Sequence, residues 1–108
     1  MRGAPGLLAI GAGAALAAAG CGGGPGEDER TRAIAAARAA YAAAEVEGVD
    51  FSRGPCLGVV LEGWVADVAH DPRQDVDDEP ENQCEAYRSG EAGHFVELDP
   101  DGDLIRAE

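Results

Sequence analysis

Lysine is absent from this sequence, and its few basic residues do not balance its acidic ones. The 8 basic residues are all arginine, and they stand against 21 aspartates and glutamates, which gives a formal net charge of -13 at pH 7. A surface with this much negative charge repels phosphate backbones and anionic lipid headgroups. The composition therefore argues against nucleic-acid binding and against a polybasic contact with membranes, and it favours cations or basic partners.

Catalytic motifs are also missing. The chain has two serines, Ser52 and Ser89, and neither lies in a Gly-x-Ser-x-Gly context. No phosphate-binding loop or nucleotide-binding fingerprint follows an expected strand. Carboxylates are so abundant that no pair stands out as a general acid and base, and a chain of 108 residues has little room for a deep pocket. We therefore expect no enzyme activity.

No apolar run reaches the ~20 residues that a membrane-spanning helix needs. The longest, residues 7–19, follows Met1 and Arg2 and leads into small residues before Cys21. A positive start, an apolar centre and a small-residue end are typical of a secretory signal. We expect residues 1–20 to be a signal peptide.

Residues 18–21, AAGC, resemble the lipobox of bacterial lipoproteins, whose usual form is Leu-Ala-Gly-Cys or Leu-Ala-Ala-Cys. Ala18 departs from that pattern, because leucine is favoured there. The resemblance implies that Cys21 carries acyl chains such as palmitate, becomes the N-terminus after cleavage and anchors the protein to the outer face of the cell membrane. Residues 21–26 would then be the lipidated cysteine and a glycine-rich tether. The alternative is an ordinary signal, cut near residues 17–19, that leaves Cys21 as a free thiol.

Cysteines are few, and their odd number leaves one over when the others pair. If Cys21 is lipidated, as the resemblance implies, Cys56 and Cys84 form the only possible disulfide, and export places them where disulfides persist. Closing that loop would stabilise the fold by roughly 3.5 kcal/mol. A domain this small needs such a staple. A redox-active pair is the less favoured alternative, because the sequence has no Cys-x-x-Cys spacing.

The remaining domain, residues 27–108, is expected to begin with a helix. Alanine has the best helix propensity, residues 27–29 place three acidic side chains in the first turn, and Gly48 can end the helix in a left-handed conformation. Four residues at helical spacing form an apolar stripe: Ile34, Ala37, Tyr41 and Ala44. We expect this stripe to pack on a sheet; a helix that binds a partner is the alternative.

A hairpin should follow, because two runs of strand-forming residues flank Glu62 and Gly63. From the turn outward, the expected pairs are Leu61 with Trp64, Val59 with Ala66, and Leu57 with Val68. These pairs would make one face apolar, ready to receive the helix. Cys56 would then point to the opposite face, together with Asp67.

The acidic, proline-containing residues 70–93 should cover that opposite face, with a short helix at about residues 79–88 that contains Cys84. Residues 94–98 and 104–106 predict a second hairpin around a turn at residues 99–102. We therefore expect an α+β domain: an N-terminal helix, an antiparallel sheet of about four strands and a helical cover stapled by one disulfide. This order is similar to that of cystatin-like folds, including PepSY-type modules of exported bacterial proteins.

The end of the chain contains the best candidate for a cation site. Carboxylates occupy positions 1, 3, 5, 7 and 12 of a twelve-residue segment with Gly102 at position 6: Glu97, Asp99, Asp101, Asp103 and Glu108. The segment resembles an EF-hand loop, where these positions supply oxygen ligands to calcium. Pro100 and the strand-like flanks depart from that pattern, and the same residues suit a β-turn, which is the favoured interpretation.

Two weaker candidates for a metal site are an acidic cluster and a set of histidines. The acidic cluster, residues 75–81, could bind calcium weakly, but such runs are typical of a solvated surface. In that set His70 and His94, with Asp67 and Asp71, could be imagined as zinc ligands, but their spacing matches no motif.

The anchor, the short tether and the missing catalytic motifs favour a lipid-anchored extracytoplasmic module of the bacterial envelope. Its expected partners are the membrane, through Cys21, and an envelope protein or cell-wall component. The alternative is an envelope protein that binds Ca²⁺ through residues 97–108 or 75–81. No cofactor is indicated apart from that cation.

Overall fold

The computed structural model describes residues 26–108. The predicted signal peptide and the lipidated Cys21 lie outside the described residues. The regular elements, in chain order, are α1 Glu27–Val46, β1 Cys56–Leu61, β2 Trp64–Val68, α2 Glu85–Arg88, β3 His94–Leu98 and β4 Leu104–Ala107. Three single-turn 3₁₀ helices lie between them, at Phe51–Arg53, Asp75–Asp78 and Pro80–Asn82. Among the described residues, no helix is long and apolar enough to cross a membrane.

The predicted N-terminal helix is confirmed as α1. It ends before Gly48, whose φ of 82° is left-handed and whose N–H donates to the Glu45 carbonyl over 3.1 Å. Ala33 and Ala37 are fully buried against the sheet, and Ile34 and Tyr41 pack around them. The alanines therefore serve close approach of helix to sheet, as well as helix propensity.

The predicted α+β class is confirmed, but the sheet is mixed, so the expectation of a fully antiparallel sheet is wrong. Its strand order is β1-β2-β3-β4, with antiparallel pairing at both ends and parallel pairing between β2 and β3. Residues 69–93 cross the outer face of the sheet and bring the chain back to the end of the sheet at which β2 starts. There β3 starts beside it, and the His94 N–H donates to the Gly63 carbonyl over 3.1 Å. A crossover of this length permits the parallel pair.

The first hairpin forms around the predicted turn, with Leu61 opposite Trp64. Its register then shifts twice, so that Val59 lies opposite Val65 and Cys56 lies opposite Asp67. Each shift is an irregularity of the kind that a β-bulge makes, with one extra residue on β1. The expected pairing of Val59 with Ala66 is therefore wrong, and Val59 is 62% exposed instead of packed under the helix.

The predicted disulfide joins Cys56 on β1 to Cys84 in the cover, with their Cα atoms 5.1 Å apart. The cover itself is less helical than expected, because only Glu85–Arg88 is α-helical and Cys84 precedes it. Pro80 stands at the first position of its turn, where a helix tolerates proline, and the break lies at Gln83 and Cys84, whose backbone is extended. The Asn82 side chain donates to the Val76 carbonyl and ties the two 3₁₀ turns together.

The second hairpin follows the prediction, and its turn is clamped by the helix. The Tyr41 hydroxyl donates to the Pro100 carbonyl over 2.8 Å, and a Cβ on Gly102 would lie 3.0 Å from the Tyr41 ring. One Asp99 carboxylate oxygen accepts the N–H groups of Asp101 and Asp103, both over 2.9 Å. This turn is therefore an Asx-type turn that supports its own backbone.

Candidate functional site

A row of four side-chain positions crosses the outer face of the sheet, opposite α1. The strand pairing places Cys56 beside Asp67, Asp67 beside Glu97, and Glu97 beside Arg106. Neighbouring strands lie ~4.8 Å apart, so the two carboxyl groups are adjacent at the centre of the sheet, with a guanidinium on one side of them. The row therefore concentrates charge on a face that also carries the buried Val65.

A cavity of about 400 Å³ lies over this row, between the sheet and the cover. We call it the Asp67 cavity. The sheet contributes five of its lining residues: Val65, Asp67, Phe95, Glu97 and Arg106. The cover contributes the other five: Arg73, Gln83, Cys84, Tyr87 and Arg88. Its volume is within the range of ~300–1,000 Å³ that is usual for small-molecule sites.

Glu97 is a buried carboxylate held between two arginines. Its side chain is 8% exposed, one oxygen lies 3.0 Å from Arg73 Nη1, and the other lies 3.4 Å from Arg106 Nε. Arg73 also donates through Nε to Asp78 over 3.0 Å. A buried charge is tolerated when it is paired and hydrogen-bonded in this way. Glu97 is therefore satisfied by the protein itself.

Asp67 is not satisfied. Within residues 26–108, its buried Oδ1 atom has no hydrogen-bond partner. Burial and then the negative charge of Glu97 raise the pKa of Asp67 to about 7, although the nearby Arg73 acts in the opposite direction. A carboxyl group with an unpaired oxygen and a raised pKa, in the wall of a cavity, has the properties of a functional group.

A second buried carboxylate, Asp77, holds the loop that carries Arg73 in place. Its Oδ2 atom accepts the N–H groups of His70 and Gln74, both over 2.9 Å, and Oδ1 lies 3.0 Å from the His70 ring. Burial opposes its ionisation, but the hydrogen bonds from Gln74 and His70 outweigh burial and lower the pKa of Asp77. A Cβ on Gly54 would overlap Asp77 Oδ1, so glycine is required there.

An apolar side and two further cationic groups complete the Asp67 cavity. Tyr87 packs edge-on against Phe95, with ring centroids 5.3 Å apart. Arg88 and Arg106 have half-exposed side chains, and the nearest carboxylate to Arg88 is Glu85 at 4.0 Å, which is too long for a hydrogen bond. Both guanidinium groups therefore have donors that a ligand can use.

The structure separates the residues of the predicted calcium loop. Glu97 faces the Asp67 cavity, Asp99 supports the turn, and Glu108 pairs through its backbone with Phe95. In the part of the chain that the structure describes, no three His, Cys, Asp or Glu side chains form a group that could hold a metal ion. Calcium binding through Asp101 and Asp103 stays a prediction.

The other predicted ligands also have structural partners. His70 pairs with Asp77, and the ring of His94 stacks on Trp64 with centroids 4.8 Å apart. In the acidic cluster at residues 75–81, Asp77 is turned inward and Asp78 binds Arg73.

Sequence reasoning missed the Asp67 cavity, although it placed Asp67 on the outer face. The available signal was a single carboxylate in each of two otherwise apolar strands, WVADV and HFVEL. Only the parallel register makes these two residues neighbours. The small size of the chain had suggested little room for a deep pocket, so no cavity was expected on this face.

The Asp67 cavity offers a hydrogen-bond acceptor, guanidinium donors and an apolar wall, which together suit binding of a small polar ligand. Comparison of the chain with models of protein families, with curated proteins and with solved structures gives no match.

Proposed function

We propose that this protein is a lipid-anchored extracytoplasmic binding module of the bacterial envelope, and that it binds a small ligand in the Asp67 cavity. One observation carries the proposal: a cavity of about 400 Å³ has in its wall a carboxyl group with an unpaired buried oxygen. Leaving a buried polar group unpaired costs ~1–3 kcal/mol. A ligand that binds this group offsets that cost.

The charged side chains that line the cavity are held in place by other parts of the protein. Arg73 is fixed by Asp78 and Glu97, and the cover that carries it is joined to the sheet by the disulfide. The polar groups are therefore held in position before any ligand arrives, and such preorganisation favours binding.

The location in the proposal is supported by the lipobox-like residues 18–21 and by the disulfide. Disulfides persist in exported proteins and are rare in reducing compartments. Residues 21–26, at no more than ~3.5 Å per residue, would hold the domain close to the membrane. A ligand of this site would therefore be met at the cell surface.

The binding part of the proposal is tested by thermal unfolding of the detergent-solubilised mature protein. We would add L-leucine, D-leucine, glucose or inorganic phosphate, one at a time, at millimolar concentration. A compound that binds only the folded state raises the melting temperature by mass action, and 100-fold excess over its dissociation constant adds ~2.7 kcal/mol. We expect a rise of several degrees with at least one class of compound.

The matched control is Gln83→Trp, which fills the Asp67 cavity from its rim. Gln83 is only partly buried, and its side chain makes one long hydrogen bond, to the Asp78 carbonyl over 3.3 Å, so the substitution should leave the fold intact. Its own melting temperature, without additives, checks this. The ligand-dependent rise should disappear in this variant. If no class of compound raises the melting temperature of the unsubstituted protein, the binding proposal is wrong.

A further inference from the structure

The Asp67 cavity has an acidic side and a basic side. At the acidic side, the charge of Glu97 is already balanced by Arg73 and Arg106, whereas Asp67 Oδ1 has no partner within residues 26–108. Asp67 lines the cavity and is partly exposed as a residue. Because Oδ1 is itself buried, a ligand can meet the carboxyl group only through its other oxygen or after the group turns. A cationic group with several N–H donors, such as an ammonium, is the natural partner of a carboxylate in this position.

At the basic side, two arginines approach from different elements. Arg106 lies on β4 and Arg88 on α2, and their side chains are 53% and 50% exposed. A guanidinium binds a carboxylate through two parallel hydrogen bonds. Arg106 contacts Glu97 through Nε, and among residues 26–108 its terminal nitrogens form no ion pair, so they can donate to a second acidic group. The basic side therefore suits a ligand carboxylate.

The distance between the two sides fits one small zwitterion. Asp67 and Arg106 lie two strands apart, which separates their Cα atoms by roughly 10 Å across the sheet. In an α-amino acid the ammonium nitrogen and a carboxylate oxygen are about 3 Å apart, and a hydrogen bond of about 2.9 Å at each end extends this span to roughly 9 Å. Arg106 contacts Glu97, which lies between the two residues, so its guanidinium is nearer to Asp67 than the Cα separation. One amino acid therefore has the length to reach from one group to the other.

The apolar wall beside these two sides selects the rest of the ligand. Val65 and Phe95 lie side by side on the sheet, and Tyr87 covers Phe95 from the cover. Cys84, with its disulfide to Cys56, continues this wall. An aliphatic side chain would lose water contact against these groups, which stabilises it by ~25 cal/mol for each Å² that it buries.

We infer that the ligand of the Asp67 cavity is an α-amino acid with an apolar side chain, whose ammonium group binds Asp67 and whose carboxylate binds Arg106 and Arg88. This inference rests on the proposed binding function and names the chemistry of its ligand. The net negative charge of the chain adds to the argument, because three of the seven arginines at positions 26–108 line this one cavity. They give the cavity a basic side on an otherwise acidic protein.

The test is calorimetric titration of the detergent-solubilised mature protein with four probes. L-leucine and D-leucine carry both charged groups, 3-methylbutylamine lacks the carboxylate, and 4-methylpentanoate lacks the ammonium. We expect at least one leucine enantiomer to bind, and both analogues to bind at least ~10-fold more weakly, because each loses a charge-assisted contact.

Two substitutions assign the two sides. Asp67→Asn should weaken leucine at least ~10-fold and leave the weak binding of 4-methylpentanoate unchanged. Arg106→Gln should weaken leucine to a similar extent without weakening 3-methylbutylamine. Arg38→Gln, on the exposed face of α1, removes a positive charge away from the cavity and should change neither affinity.

The outcomes separate this inference from the function on which it rests. If glucose or phosphate raises the melting temperature but neither leucine enantiomer binds, the amino-acid inference is overturned and the binding function stands. If leucine binds equally well to Asp67→Asn and Arg106→Gln, the assignment of its two charged groups is overturned. If no probe of either panel binds, both proposals fail.

Discussion

At the scale of single residues, Asp67 has the most unusual environment among residues 26–108. Its pKa of about 7 in the folded protein lies above the ordinary value of 3.8. The folded state therefore holds a proton that the unfolded state has released, and Asp67 lowers the free energy of unfolding as pH rises from ~4 to ~7. Above pH ~7 Asp67 is ionised in both states, and the full loss of unfolding free energy remains. The fold keeps this residue although it is destabilising at neutral pH.

This environment leads to a prediction for Asp67→Asn, in which the amide cannot ionise. We expect the variant to be more stable than the unsubstituted protein, and its advantage to grow by roughly 2–3 kcal/mol between about pH 5 and about pH 8. Urea unfolding of both proteins at the two pH values measures the difference. Asp101→Asn, in the exposed turn, is the control for removing one carboxylate. A difference that stays constant with pH would mean that Asp67 is already ionised at pH 5.

Residues that act through local geometry could be predicted from the sequence, and residues that act through distant neighbours could not. Gly48 was expected to end the helix, and it does so with a left-handed φ of 82°. The roles of Asp67 and Glu97 depend on the parallel pairing of β2 with β3, which the sequence pattern of either strand does not contain. From the sequence, Glu97 is only a candidate calcium ligand in the less favoured interpretation of residues 97–108, because its sequence neighbours are acidic.

At the scale of elements, the acidic residues of the β3–β4 turn could either support the turn or bind a cation, and the two roles predict different effects of substitution. Asp99 accepts two backbone N–H groups across the turn, so Asp99→Ala should lower the free energy of unfolding by about 1–2 kcal/mol. Asp103→Asn is the control, and it should have a much smaller effect. Chemical denaturation of the three proteins in the presence of chelator measures both.

The contacts of the β3–β4 turn also predict how the protein responds to calcium. Because Asp99 already serves the backbone and Glu97 already pairs with Arg73 and Arg106, we expect millimolar Ca²⁺ to leave the melting temperature unchanged relative to chelator. A saturable rise that is lost when Asp101 and Asp103 are replaced by Asn would contradict this, and would support the alternative of a calcium-binding protein.

The disulfide is the covalent link between the cover and the sheet. Cys56 and Cys84 are 28 positions apart, and opening a loop of this length should cost about 3.5 kcal/mol. We expect the double variant Cys56→Ala, Cys84→Ala to lose this amount in urea unfolding and to become sensitive to proteases within residues 69–93. Cys21→Ser is the matched control, and its stability should not change. Equal stability of the double variant would show that non-covalent packing holds the cover.

Elements were predictable where their signals are local. The helix, both hairpins and the last turn follow from propensity, alternation and turn residues, and all of them are present. The bulges in β1 were not predictable, because they depend on how Leu57 and Val60 reach the core under α1. The break in the helix of the cover was not predictable either, because it lies at Gln83 and Cys84, between the tie from Asn82 to Val76 and the disulfide to Cys56.

At the scale of the whole molecule, the distribution of charge matters more than its sum. The chain is strongly acidic, yet Arg73, Arg88 and Arg106 converge on the Asp67 cavity. The lining of this cavity holds three guanidinium groups and two carboxyl groups, on separate sides. A ligand carboxylate is therefore attracted to the basic side although the protein as a whole is acidic, and this attraction weakens as salt is added.

The same excess of negative charge makes attachment to an anionic membrane depend on the predicted lipid. We expect the unsubstituted protein to incorporate radioactive palmitate and to sediment with membranes, and Cys21→Ser to lose both properties, because two acyl chains provide the stable anchor. The double variant Cys56→Ala, Cys84→Ala should still be labelled, which separates acylation of Cys21 from labelling of the other two thiols. A Cys21→Ser protein that still incorporates palmitate would refute lipid anchoring through Cys21. Its size on a gel checks that residues 1–20 have been removed, since the apolar residues 7–19 would hold an uncut chain at the membrane.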